Sequence, residues 1–233
     1  MKTAIITGGT KGIGYGVAEA MLLQGMNVTI TGRKQETVDV AVSSLSKIGK
    51  GQIMGVVSDV RSLEDEQHVV TKTIDKYGSL DVLIANAGVG HFASIEDMTV
   101  EQWKQTIDIN LTGVFNSVKA SIEALKASKG YFISIASLAG TNFFAKGAAY
   151  NASKFGLVGM TQAIMLDLRQ YGIKVTTIMP GSVSTYFNGN EPSDKDAWKI
   201  QPEDIGQIVI DLLKMHPRTL PSKIEVRPSM PSK

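Results

Sequence analysis

Residues 3–14 read Thr3-Ala4-Ile5-Ile6-Thr7-Gly8-Gly9-Thr10-Lys11-Gly12-Ile13-Gly14, and a helix-period segment runs on to about residue 25. The opening run is β-branched and apolar without alternation, as in a strand buried on both faces. Glycines at the turn let backbone N–H groups approach a pyrophosphate, and the helix that follows presents its positive end there. The spacing is Gly-x-x-x-Gly-x-Gly, not the commoner Gly-x-Gly-x-x-Gly. Glycine clusters alone often make plain turns. The place between a first buried strand and a helix is what points to a nucleotide.

The same alternation continues outward from this stretch. Strands are expected at Thr3–Thr7, Asn27–Thr31, Gln52–Val57, Asp81–Ala85, Gly130–Ala136, Lys174–Met179 and Lys223–Val226, with helices near 13–25, 35–48, 62–77, 101–127, 148–171 and 203–215. Strands and helices in this order predict right-handed βαβ units: an α/β, doubly wound three-layer sandwich on a seven-stranded, mostly parallel sheet. No repeat, low-complexity tract or linker divides the chain, so residues 1–233 are expected to form one domain. Two irregular stretches, 138–147 and 182–199, follow strands five and six. Ligands bind beyond the carboxyl ends of strands in such sheets, which makes the second stretch a substrate lid.

Composition removes several functions. The 233 residues carry no cysteine, so disulfide and thiolate chemistry are out and a reducing cytoplasm is the expected home. A net charge of +2, from 24 basic and 22 acidic residues, offers no field for nucleic acid. No run approaches 18 apolar residues and the first strand starts at once, so neither a membrane span nor a signal peptide is expected. His68, His91 and His216 are scattered without metal-ligand spacing, so no catalytic metal is expected, and His91 reads as a surface residue near the pocket edge.

Further motifs stand at the expected strand ends: Asp59-Val60, Asn86-Ala87-Gly88, Asn110, Ser137, Tyr150-x-x-x-Lys154, and Pro180-Gly181 with Val183 and Thr185. Together with the glycine turn they resemble the short-chain dehydrogenase/reductase family from the turn to about residue 215, and with it a Rossmann fold. The resemblance implies Asn110, Ser137, Tyr150 and Lys154 as the catalytic set. It implies cofactor contacts at Gly8, Thr10, Lys11, Gly12, Ile13, Gly14, Asp59, Val60, Asn86, Ala87, Gly88, Pro180, Gly181, Val183 and Thr185, besides Tyr150 and Lys154. Lys154 would hold the nicotinamide ribose, and Asn110 a water linking the lysine to solvent. The residues themselves agree. Tyr150 and Lys154 lie one turn apart on one helix face. A nearby ammonium and a positive nicotinamide ring are expected to lower the tyrosine from its ordinary value near 10, so that it exchanges a proton with a carbonyl oxygen.

Cofactor choice reads from Thr31-Gly32-Arg33-Lys34. An NAD-preferring fold carries an acid at the end of the second strand, and Gly32 stands in that place. Arg33 can clamp a 2′-phosphate instead, with Lys11 across from it, so NADP(H) is expected over NAD. The expected activity is hydride transfer between nicotinamide and a small carbonyl or secondary alcohol. A 3-oxoacyl-carrier-protein reductase and a non-catalytic dinucleotide sensor are the alternatives. Against the first, the chain ends in Leu220–Pro228 where such reductases carry a strand and an Asp-Gly-Gly turn, a tail that resembles reductases of smaller carbonyl compounds. Against the second, Tyr150 and Lys154 are both present. The nearly all-round apolar helix at 148–168 predicts a homodimer or homotetramer.

Overall fold

Strands and helices alternate along the computed structural model, which describes residues 1–230. The strands are β1 (Thr3–Ile6), β2 (Asn27–Gly32), β3 (Ile53–Val57), β4 (Val82–Ala85), β5 (Tyr131–Ile135), β6 (Lys174–Pro180) and β7 (Lys223–Val226). The helices are α1 (Gly12–Leu23), α2 (Gln35–Leu45), α3 (Leu63–Tyr77), α4 (Val100–Ile107), α5 (Gly113–Ser128), α6 (Ala148–Leu168) and α7 (Pro202–Lys214). Residues 231–233, at the end of the expected domain, lie outside the described ones.

One sheet joins all seven strands in the order β3-β2-β1-β4-β5-β6-β7. Every pairing is parallel, so the sheet is wholly rather than mostly so. Successive strand residues face opposite sides, which divides the core in two. Ala4, Ile6, Ile84 and Ile133 pack with Met21 and Leu22 of α1 and Ile205 and Val209 of α7. Ile5, Leu83 and Phe132 pack with Val69 of α3, Val118 of α5 and Leu157 of α6. Each such side chain, removed from water, contributes about 1.5–3 kcal/mol. The order reverses at β1, which pairs with β2 on one side and β4 on the other. That switch point opens a crevice beyond the carboxyl ends of the strands.

Local chemistry sets the helix ends. Ser62 caps α3 by accepting from Asp65 N–H at 3.1 Å, and Gly78 ends it at φ 84°. Thr99 and Gln102 form a reciprocal capping box at α4, and Pro202 opens α7. One expectation needs correction: the helix at 101–127 is not continuous. A π-helical segment, Asp108–Thr112, separates α4 from α5. Its extra residue per turn swings Asn110 into the protein, where its amide finds three partners that a regular helix would deny it.

Candidate active site

A cleft of about 910 Å³ lies over the carboxyl ends of the strands. Gly8, Thr10, Lys11, Gly12, Ile13, Arg33, Asp59, Val60, Asn86, Ala87, Gly88, Pro180, Gly181, Val183 and Thr185 line it, as do Ser137, Tyr150 and Lys154. Gly14 and Asn110 are not on its wall. A Cβ on Gly14 would stand 2.5 Å from the Asn86 amide nitrogen and 2.6 Å from the Gly8 carbonyl, so its part is to let the turn and β4 close on each other.

The glycine turn is held from two sides. Gly8 and Gly12 take φ +63° and +58°, a region closed to most side chains. Asn86 donates from its amide to the carbonyls of Thr7 (2.9 Å) and Gly8 (3.0 Å), while Thr7 Oγ1 accepts from the N–H of Asn86 and Ala87. The Asn-Ala-Gly segment thus braces the turn as well as lining the cleft. Asp59 holds Arg61 at 2.5 Å, which keeps its carboxyl below the usual carboxylate range. Arg33 is exposed at the β2 edge of the same cleft, and the ammonium of Lys11 lies 5.5 Å from the centre of the Tyr186 ring.

The catalytic candidates converge from three elements. Ser137 follows β5 and accepts from Ala139 N–H at 3.1 Å. Tyr150 and Lys154 stand on α6, with the lysine nitrogen 5.7 Å from the phenol ring centre. Asn151, next to Tyr150, donates to the carbonyls of Ala139 (2.7 Å) and Asn142 (2.8 Å), fastening the first turn of α6 to the segment that bears Ser137. Asn110 accepts from Val89 N–H at 2.8 Å and donates to Val89 carbonyl at 2.9 Å and to Ser153 Oγ at 3.0 Å. Both amide hydrogens are therefore spent on fixing the β4 loop against α6.

Protonation departs from expectation. Burial raises Tyr150 above its ordinary value, and only a hydrogen bond with Ser137 opposes the rise. Lys154, wholly buried, is brought down from 10.5 to about 8 by loss of hydration, and donates to the Ile135 carbonyl at 3.1 Å. In the chain by itself both groups move toward their neutral forms, because each is desolvated and no anion lies close by. The lowered tyrosine expected from the sequence is absent at this stage. The phenol keeps the proton it would give.

The lid is a loop pinned at its base, where Val183 pairs with Ile200. Two residues beside the site escaped the sequence reading: Phe92, whose ring meets Tyr150 at 5.4 Å next to Phe187 of the expected lid at 5.7 Å, and Gln105, which lines the cleft and pairs with His91. His91 Nε2 donates to Gln105 Oε1 at 2.5 Å and is part-buried on the cleft wall, so it is not the surface residue that was expected. The adjacency of His91-Phe92 to the Asn-Ala-Gly turn was the available signal. Phe143, by contrast, is 86% exposed and outside the cleft.

A glycine turn aimed at a helix start, a cleft at the switch point and a Tyr–Lys pair beside a serine fit a nicotinamide dinucleotide and an oxygen to be protonated. They define an oxidoreductase acting between carbonyl and alcohol with that cofactor. A family model described as short chain dehydrogenase matches residues 2–196, and the chain belongs to this family. It is 33% identical over 223 residues to the trans-4-hydroxycyclohexanecarboxylate dehydrogenase of Sinomonas cyclohexanicum, covering 91% of this chain and 85% of that one. Among solved structures it is similar to the alcohol dehydrogenase of the archaeon Thermococcus sibiricus, complexed with 5-hydroxy-NADP, at TM-score 0.92 and 26% identity over 98% of this chain and 97% of that one. A metagenomic short-chain oxidoreductase in complex with NADP matches at TM-score 0.85 and 31% identity, covering 99% and 98%. Among the described residues no helix is long and apolar enough to cross a membrane.

Proposed function

We propose that this enzyme is an NADP(H)-dependent reductase of small ketones and aldehydes, run in reverse as a dehydrogenase of secondary alcohols, with Tyr150 as the acid/base. The observation that carries the proposal is that Ser137, Tyr150 and a buried Lys154 share the cleft wall after β5, with the lysine nitrogen 5.7 Å from the phenol ring centre. A bound nicotinamide dinucleotide supplies or accepts the hydride. Ser137 hydrogen-bonds the substrate oxygen, and Tyr150 gives that oxygen a proton in reduction or takes it in oxidation. Lys154 would hold the cofactor's nicotinamide ribose. Asn110 is a positioning residue, keeping Val89 and Ser153 in place.

Arg33 supports NADP(H). An acid at position 32 would need room already taken, since a Cβ there falls 2.7 Å from the Thr10 methyl, and a guanidinium fork matches phosphate oxygens. The two NADP-bearing relatives favour the same choice. The 3-oxoacyl-carrier-protein alternative needs a basic patch, for which Lys119, Lys126 and Lys129 are the candidates, and of these Lys126 is paired with Glu123 at 2.9 Å. We also assign a single domain, a cytoplasmic site of action and a homo-oligomer joined through α6.

Tyr150→Phe tests the mechanism, since the ring stays and the transferable proton goes. With NADPH and a ketone panel, kcat should fall by about 10²–10⁴, the size of lost acid–base catalysis, while NADPH binding followed by fluorescence stays close to wild type. Near-normal kcat in this variant overturns the assignment.

A further inference from the structure

At the substrate end of the cleft Tyr150 and Phe187 of the lid line the wall, and Phe92 packs against both with Phe144 behind it. Phe92 meets Tyr150 at 5.4 Å and 76°, Phe144 at 5.7 Å and 62°, and Phe187 at 6.4 Å and 62°. Phe187 closes the triangle on Tyr150 at 5.7 Å. These are the edge-to-face distances at which aromatic quadrupoles attract. The rings come from the β4 loop, the segment before α6 and the lid, so the arrangement is tertiary.

Backbone contacts fix two of the three rings. Phe187 N–H donates to Thr185 Oγ1 at 3.3 Å, and its carbonyl accepts from the Asn190 amide at 2.8 Å. Phe144 N–H donates to Asn151 Oδ1 at 3.4 Å. Gly90 leaves the slot in which the lid ring lies: a Cβ there would stand 2.6 Å from Phe187 Cζ and 3.0 Å from Phe92 Cζ.

Among the described residues, the lysines and the arginine that line the cleft are engaged elsewhere or stand away from this end. Lys11 lies over Tyr186, Lys154 is bonded to the Ile135 carbonyl, and Lys199 pairs with Asp196 at 2.6 Å. Arg33 follows β2, which β1 and β4 separate from β5. Nothing in that set is left to receive a carboxylate or phosphate near Tyr150.

We propose that Phe92, Phe144 and Phe187 form an aromatic box that selects uncharged carbonyl compounds bearing a flat aryl group beside the carbonyl. A carbonyl oxygen in reach of Tyr150 Oη and Ser137 Oγ leaves its substituents against these rings. An aryl group there stacks edge-on, and an alkyl chain gains contact area alone. This rests on the carbonyl-reducing reading of the site.

The test compares acetophenone, 2-octanone (the same number of carbons) and an acetoacetyl thioester as substrates of the NADPH-loaded enzyme. In wild type kcat/KM for acetophenone should exceed that for 2-octanone by about tenfold, the worth of one or two aromatic pairs. Phe187→Leu and Phe92→Leu, checked for folding by circular dichroism, should bring that ratio toward one. If 2-octanone or the thioester is reduced as well as acetophenone, or neither variant changes the ratio, the box is wrong and the reductase reading stands. If NADPH binds and none of the three is reduced, the reductase reading falls and takes the box with it.

Discussion

Lys154 shows at a single residue how the site opposes the fold. Bringing a lysine from 10.5 to about 8 costs the native state roughly 3 kcal/mol wherever both folded and unfolded chains carry the proton, which is below pH 8. Between about pH 8 and 10.5 the unfolded chain still binds the proton and the folded one releases it, so this contribution to stability improves as pH rises. Lys154→Met removes the cost and also the bond to Ile135, worth about 1 kcal/mol. The variant should therefore be more stable than wild type by about 1–3 kcal/mol at pH 7, with the gap closing by pH 10.5, and it should be inactive. Urea midpoints at both pH values check this. A variant less stable at pH 7 would show that the ammonium is better solvated than its burial implies. Arg33 makes the opposite case of an exposed residue with a specific task. Its charge-assisted bonds to a 2′-phosphate are worth about 1.5–3 kcal/mol, so Arg33→Ala should raise KM for NADPH roughly ten- to a hundredfold and leave NADH nearly unchanged. Equal loss with both cofactors would refute that role.

Asn110 belongs to an element more than to itself, because only the π segment Asp108–Thr112 turns it toward Val89 and Ser153. Truncating it leaves the N–H and C=O of the half-buried Val89 without their side-chain partner. Asn110→Ala should cost about 2–3 kcal/mol of stability in a denaturant melt and lower kcat through misplacement of α6, with KM for NADPH little changed. A large rise in that KM with unchanged stability would instead mean direct contact with the cofactor. This element also marks the limit of what the sequence disclosed. Buried strands and glycine turns are written locally, in unbroken runs such as Thr3–Ile6 and in the Gly8–Gly14 spacing, and they were legible to within a residue or two. The π segment has no such local signature. Its residues continue the helical pattern on both sides, and only the tertiary partners of Asn110 justify the extra residue. The ring partners of Phe187 were hidden for a related reason: it sits in the expected but irregular lid, and its contact with Phe92 and Tyr150 links positions far apart in the chain. The fall of Lys154 and the rise of Tyr150 likewise come from burial, which no spacing reports.

At the scale of the whole molecule, α6 presents two unlike faces. Its inner face, with Ala149 and Leu157, covers the sheet, and Thr161 bonds Ser134 on β5 at 3.1 Å. Its outer face carries Ala152, Phe155, Gly159, Ala163 and Leu166 along one stripe, all exposed. Phe155 is 44% and Leu166 54% accessible, and Phe115 of α5 is 50% accessible. Gly159 meets nothing outward within 4 Å, so a second backbone can approach closely there. An apolar stripe running the length of a helix marks an association surface more often than a solvated face. A two-fold axis across the middle of α6 would lay each stripe on its counterpart, an isologous contact able to reach the usual 800 Å² or so per partner with help from α5. Phe155→Lys puts two like charges near that axis for every pair of subunits. Light scattering at micromolar concentration should give a dimer or tetramer for wild type and a monomer for the variant. Since the same helix holds Tyr150 and Lys154 on its other side, the monomer should also lose turnover, roughly in step with the loss of assembly. A wild-type protein that is monomeric and fully active would mean that the stripe meets only water, and that α6 needs nothing beyond its own sheet to hold the site in shape.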